Sequence, residues 1–401
     1  MGVVVKQSIK NTVATYIGFA IGAWNTLFLY TNFLTEEYYG LVGFLLSAAT
    51  IMMPLTAFGV HNTIVKFYAS FKDKDQQQDF MSMMLYLPLL IIIPIGIIGY
   101  FGYEMIVAFL SKENPIVGDY VWLIYVIAIA MAYFEVFYAW VRVEMQSVFG
   151  NFMKEVYHRV VISVLLFGVY FEMLNQVQFV WSLAAVYFSK ALLMKLYAIN
   201  VRFPRLVFRM PENSLDILKY SLLIIIAGSI SLVMLDIDKV MIGKYLPIEN
   251  VAYYNVAIFI AMVIVVPSRA MHQITYPLTA KLINEKQLTA LKELYQKSSL
   301  TLFIISGLIF LLIVLNIEQV YLLIPKDYSA GIFVVFLISF SKLFDNLLGI
   351  NNAILYNSDY YRLTIVLGLF LAVMTIVMNV WLIPVFGIDG AAIATVVSLF
   401  L

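Results

Sequence analysis

The chain has 401 residues, 63% of them hydrophobic and only 12% charged, with a mean hydropathy of +0.93. A soluble protein carries about half apolar and about a quarter charged residues, so a water-soluble globular fold is excluded. The sequence contains no cysteine, which excludes disulfides, thiolate nucleophiles and cysteine-ligated metals, and a net charge of +1 points to no partner by itself.

Apolar runs of about 20 residues, enough to cross a bilayer, are predicted at 13–33, 41–60, 82–103, 120–141, 158–174 and 179–199. Five more follow at 220–242, 251–270, 299–316, 331–350 and 363–383. A twelfth begins near Ile388 and has only GIDGAAIATVVSLFL to use, so the chain is expected to end inside its twelfth span. The first run is too long for a cleavable signal, contains Thr15, Asn25 and Thr26, and lacks an A-x-A exit. With the N-terminus inside, the inner segments collect Lys6, Lys10, Lys66, Lys72, Lys74, Arg142, Lys154 and Arg159, then Lys195 through Lys219, then Arg269 through Lys297 and Arg362. The outer connections hold little beyond Lys112 and Lys326, which predicts a cytoplasmic N-terminus.

The runs fall into two halves, expected at 1–200 and 220–401 and joined by a cytoplasmic linker at 201–219. In the linker, Arg202, Arg205 and Arg209 alternate with Phe203, Leu206 and Phe208, as in a short amphipathic segment on the inner surface. An internal repeat supports the division. In the first half two runs meet at LTEEYYG (34–40); in the second two runs meet at LPIEN (246–250). An offset of about 212 residues pairs Leu34 with Leu246 and Glu37 with Glu249, and brings Pro54 and Pro267 into register to within one residue. Such repeats mark secondary transporter folds. The two prolines sit mid-span, where proline removes a backbone hydrogen bond and kinks a helix. They are read either as hinges for alternating access or as static shaping.

No GxxxxGK[ST] occurs, so ATP-driven pumping by this chain is not expected. The three histidines, His61, His158 and His272, lack ligand spacing. No metal, cofactor, nucleic-acid partner or nucleophile with its base is expected, and a transporter is expected rather than an enzyme.

The functional pointers are ionisable residues inside spans, each costing roughly 2.5–3.5 kcal/mol at the bilayer centre on insertion scales. They are Glu135 in MAYFEVFYAW, Lys190, Asp236, Asp238 and Lys239, and Lys342 with Asp345 in ISFSKLFDNLL. Asp236 and Lys239 are three residues apart, as are Lys342 and Asp345, so each pair can neutralise itself on one helix face. Alternatively these charges line a water-filled cavity. Lys190 has no acidic residue within four positions. It either snorkels to the inner surface or presents a cation to an anionic group such as a diphosphate. Glu135 either neutralises a nearby lysine or is a protonatable coupling site.

Three stretches carry a family resemblance: FLTEEYYGLVGFLLSAATIMMPLTAFGVHNTIVKFYA at 33–69, LDIDKVMIGKYLPIENVAYYNVAIFIA at 235–261 and GIDGAAIATVVS at 387–398. The chain resembles the polysaccharide-biosynthesis flippases of the multidrug/oligosaccharidyl-lipid/polysaccharide (MOP) exporter superfamily. That resemblance implies an all-α polytopic membrane protein of MATE-like two-lobe architecture, two pseudo-symmetric six-helix bundles around a central cavity. It implies translocation of polyprenyl-diphosphate-linked oligosaccharide (O-antigen, capsule or exopolysaccharide repeat units) across the bacterial inner membrane, with polysaccharide polymerase and glycosyltransferases as partners. A cationic cavity, here Lys190, Lys342 and Lys239, belongs to the same implication. A cation-coupled multidrug antiporter, which would use Glu135, Asp236 and Asp238, and a peptidoglycan-precursor flippase are the alternatives.

Overall fold

A computed structural model describes residues 2–202, 209–211, 213–358 and 361–400. The expected amphipathic pattern at 203–208 lies outside them. The described residues form helices and no strand. Among the described residues nine helices are long and apolar enough to cross a membrane, ten if the bent helix at 214–245 counts as one span. The two remaining runs of the expected twelve take other forms. One is a helical stretch interrupted by a π turn (residues 147–170), and the last is a 13-residue helix, Ile388–Phe400.

Packing divides the chain into two compact units, Met1–Ile248 and Glu249–Leu401. The first contains α1 (Gly2–Trp24), α2 (Glu36–Thr56), α3 (Val60–Phe67), α4 (Lys74–Tyr86), α5 (Leu89–Phe101), α6 (Val121–Val143), α7 (Ser147–Phe152), α8 (His158–Tyr170), α9 (Gln176–Val201) and α10 (Ser214–Tyr245). Helix α6 is its centre, packed against α2, α3 and α9. The core around it joins Phe58, Ile64, Phe80, Met84, Phe134, Trp140 and Met194. By this packing α10, which opens the second half of the repeat, goes with the first unit, where it lies on α2 and α3.

Helix starts are set locally. Thr35 accepts from the Tyr38 N–H, with Glu36 and Glu37 in the first turn of α2, where carboxylates complement the helix dipole. Asn175 and Gln178 form a reciprocal capping box at α9. Thr35 donates from both N–H and Oγ1 to Gln176 Oε1 at 3.0 Å, tying the two helix starts together.

Long-range polar clasps hold the ends of α10 and α9. Asn114 is buried beside the corner after α10. Its Nδ2 donates to the carbonyls of Gly243 (2.7 Å) and Leu246 (2.9 Å), and its Oδ1 accepts from the Ile248 N–H (2.8 Å). All of its amide is thereby used on one turn of backbone. Nearer the start of α10, Thr63 and Ser221 share a hydrogen bond of 2.8 Å and Lys66 lies 3.7 Å over the Tyr220 ring. Arg202, expected in the surface segment, instead turns inward. It donates to Glu144 Oε1 (3.0 Å), Gln77 Oε1 (3.1 Å) and the Tyr68 hydroxyl, which itself bonds Glu144. Burial and the Glu144 carboxylate push the Tyr68 hydroxyl up to about 12.

The prolines border helix breaks. Pro54 is in the last turn of α2, after which Phe58 and Gly59 take left-handed φ angles of 51° and 63° before α3 begins. A Cβ on Gly59 would stand 2.6 Å from the Ser221 carbonyl oxygen, so glycine is needed there for both its backbone and its size.

The second unit holds α11 (Glu249–Met262), α12 (Val266–Asn284), α13 (Leu288–Tyr321), α14 (Ile332–Leu347), α15 (Asn351–Asn357), α16 (Tyr361–Phe386) and α17 (Ile388–Phe400). Helix α14 packs on α11, α13 and α17. Pro267 stands in the first turn of α12, after a 3-10 turn at Val263–Val265. Proline is tolerated there because the first-turn N–H groups have no helical partner.

Candidate functional site: a cation-rich cluster in the first unit

Four elements of the first unit bring charged side chains together. Helix α6 contributes Glu135, the π turn Met153–Tyr157 contributes Lys154 and Glu155, α8 contributes His158 and Arg159, and α9 contributes Tyr187 and Lys190. Glu135 Oε1 lies 2.7 Å from Lys154 Nζ; the carboxylate side chain is 15% exposed and the lysine 43%. Lys190 is buried, with 8% of its surface exposed. Its ammonium sits 4.2 Å from the centre of the Phe134 ring and 5.8 Å from that of Tyr187. Among the described residues it has these aromatic faces and no carboxylate in salt-bridge contact. Glu135, Lys154, Glu155 and Arg159 are all within its electrostatic reach.

Arg159 is fixed from behind. It bonds the Glu155 carbonyl at 2.9 Å and the Glu155 carboxylate at 3.4 Å. Its guanidinium lies against α1 at Gly18 and Gly22, where a Cβ on Gly18 would come within 2.7 Å of Nη1 and 2.4 Å of the Glu155 carbonyl. A Gly-x-x-x-Gly face allows such close helix approach in a membrane. Asn25, in a π turn of its own (Asn25–Leu29), donates to the Arg159 carbonyl at 2.9 Å and accepts from Ser163 at 2.6 Å. Two π turns, neither visible in the sequence pattern, therefore serve the cluster, one supplying Lys154 and Glu155 and the other bonding α8 through Asn25; such turns are frequent at functional sites. The cluster holds three cations (Lys154, Arg159, Lys190) and two carboxylates (Glu135, Glu155), an excess of one positive charge.

The expected i,i+3 pairs both form. Lys239 Nζ lies 2.9 Å from Asp236 Oδ1, which also accepts from Ser47 of α2 at 2.9 Å. On α14 of the second unit, Lys342 Nζ lies 3.2 Å from Asp345 Oδ2. Asp238 is buried. Of the three lysines expected together, Lys190 alone joins the cluster around Glu135; Lys239 and Lys342 hold their own helix's carboxylate. Lys154 and Arg159 lie in a run the sequence reads only as inner-surface charge. Among the described residues no group of histidine and carboxylate side chains is arranged to hold a metal ion.

The sequence of residues 4–283 matches the family described as polysaccharide biosynthesis protein. The chain belongs to that family. No curated protein matches its sequence. Its fold matches solved membrane transporters over nearly its whole length. One is the lipid II flippase MurJ in an inward closed conformation, with a TM-score of 0.77, 14% identity, and coverage of 98% of this chain and 85% of that one. Another is an inward-facing multidrug resistance MATE family transporter of the MOP superfamily, with a TM-score of 0.75, 17% identity, and coverage of 96% and 92%. A third is a MOP superfamily transporter from Pyrococcus furiosus, with a TM-score of 0.67, 15% identity, and coverage of 98% and 93%. The polysaccharide biosynthesis chain is thus an all-α multi-pass membrane protein with the MOP transporter fold, and its likenesses are to transporters and flippases.

Proposed function

We propose that the protein is a flippase that moves polyprenyl-diphosphate-linked oligosaccharide, an O-antigen, capsule or exopolysaccharide repeat unit, from the inner to the outer leaflet of the bacterial inner membrane by alternating access. The observation that carries this reading is Lys190, a buried ammonium held by aromatic faces beside a cluster with excess positive charge. A charge in lipid persists where it has work to do, and lysine is a point-charge phosphate binder. Lys154 and Arg159 add to the attraction, while the polyprenyl tail stays in lipid. Lys239 and Lys342, already neutralised by Asp236 and Asp345, are secondary. In this reading residues 1–200 and 220–401 are the moving halves, 201–219 joins them in the cytoplasm, and the chain breaks beside Pro54 and Pro267 serve as hinges. The cytoplasmic N-terminus follows from the basic inner segments. Polysaccharide polymerase and glycosyltransferases are the partners of such a step.

A cation-coupled multidrug antiporter is the second reading, favoured by the half-buried carboxylates Glu135 and Asp236 and the buried Asp238. It is weakened because Glu135 and Asp236 each hold a lysine. Deletion of the gene, followed by measurement of lipid-linked oligosaccharide in each leaflet, separates the readings. Accumulation on the cytoplasmic face with loss of surface polysaccharide supports the flippase. Unchanged surface glycan with new sensitivity to cationic drugs supports the antiporter, and accumulation of peptidoglycan precursor moves the substrate to that lipid. Restoring the gene as Lys190→Gln is expected to recover less than about one-tenth of the flux, a loss of roughly 1.4 kcal/mol. Lys342→Gln is expected to recover most of it. Full recovery with Lys190→Gln sinks the cationic mechanism.

A further inference from the structure

Glu135 poses a question that the flippase reading leaves open. A site for an anion is served by cations, yet a carboxylate sits in the middle of this one, on the most buried of the candidate spans. Its hydrogen-bond partner among the described residues is Lys154, at 2.7 Å. Lys154 is the more exposed member of the pair, and Lys190, with no carboxylate in contact, is the next cation in reach of Glu135. Glu135 is therefore placed where the negative charge of a substrate would sit.

We propose that Glu135 is a resident counter-anion, which holds Lys154 in the empty protein and must be displaced by the substrate's phosphate group. The inference rests on the flippase reading and assigns Glu135 a role in specificity. Over Lys154, Arg159, Lys190, Glu135 and Glu155 the charges sum to +1; with a neutral residue at 135 they sum to +2, and the added attraction acts twice on a group that carries two charges. A glycosyl monophosphate diester carries one negative charge, which Lys190 can meet while Glu135 stays on Lys154. A diphosphate brings two charges and can span two cations, so its second charge must take Lys154 from Glu135. Glu135 thus keeps the empty site close to neutral and sets a cost that falls on the second charge.

The test is binding of two lipids, a glycosyl polyprenyl diphosphate and a glycosyl polyprenyl monophosphate of the same sugar and tail, to the full-length protein in nanodiscs. Wild type is expected to prefer the diphosphate. Glu135→Gln preserves shape and a hydrogen-bond acceptor for Lys154. It is expected to bind both lipids more tightly, with the diphosphate gaining more, so that the diphosphate preference rises about tenfold. Lys154→Gln is expected to weaken the diphosphate. If Glu135→Gln fails to fold, Glu135→Asp, whose carboxylate is drawn back from Lys154, carries the test with a smaller rise in preference. Wild type that binds the diphosphate while the Glu135 variants bind both lipids with unchanged preference overturns the counter-anion and leaves the flippase reading standing. Failure of wild type and every variant to bind either lipid overturns both.

Discussion

The two copies of the internal repeat each break their second helix near a proline, and they secure the break by different means. In the first copy the turn after Pro54 is made by backbone: Phe58 and Gly59 take left-handed angles, the Gly59 carbonyl accepts from Thr63 Oγ1, and Thr63 meets Ser221 of α10. In the second copy the 3-10 turn before Pro267 is held by side chains of other helices. Asn346 of α14 donates to the Ile264 carbonyl at 2.8 Å and Ser306 of α13 does so at 3.3 Å, with Asn346 and Ser306 joined at 2.7 Å. Both solutions satisfy carbonyls released from the helix ladder, as a membrane interior demands. The first fixes the shape of one chain segment and ties it to α10 through Thr63 and Ser221. The second pins three helices to one point.

That difference orders the expected effects of substitution. Gly59→Val is the most severe, because it meets both a left-handed φ and an oxygen 2.6 Å from its Cβ. A loss of roughly 2–3 kcal/mol is expected, read as a lower unfolding midpoint in detergent, and a variant as stable as wild type would mean the left-handed turn is not occupied. Asn346→Leu follows, at about 1–3 kcal/mol for a buried carbonyl left without its donor. Ser306→Ala in that background should add little, since the two residues act as one unit; full additivity would show that they serve separate roles. Thr63→Val is expected to cost about 0.6 kcal/mol, the average for a hydrogen bond between membrane helices. Measured alongside Asn346→Leu, it asks directly whether the second break depends more on side chains than the first. Pro267→Ala is the mildest, near zero in stability, because the residue occupies the first turn of α12. A large loss there would place the proline inside a strained hinge, and unchanged flux in both Pro267→Ala and Pro54→Ala would remove the hinge role from both.

Local chemistry was the legible part. Apolar runs, the repeat, and the pairs Asp236–Lys239 and Lys342–Asp345 depend on spacings of a few residues, and helix geometry translates such spacings directly into neighbours. The partner of Glu135 is 19 residues away on the far side of a turn, and a π turn shifts the face on which Lys154 emerges. The aromatic seat of Lys190 was half legible: Tyr187 is three residues before it, but Phe134 comes from α6. Arg159 looked like one more inner-surface cation because its setting is made by Gly18 and Gly22, more than 130 residues earlier. Composition and spacing identified which charges are costly; only packing shows which of them face one another.

The Asn114 clasp has a consequence for the order in which the protein can be made. Asn114 is synthesised 134 residues before Ile248, the last of the groups it binds. At about 5–20 residues per second, its amide waits roughly 7–27 s between leaving the ribosome and finding its partners. Through that interval a polar side chain at the edge of an otherwise greasy bundle must rely on water or on a helper protein. The first unit therefore finishes only when the opening helix of the second repeat arrives.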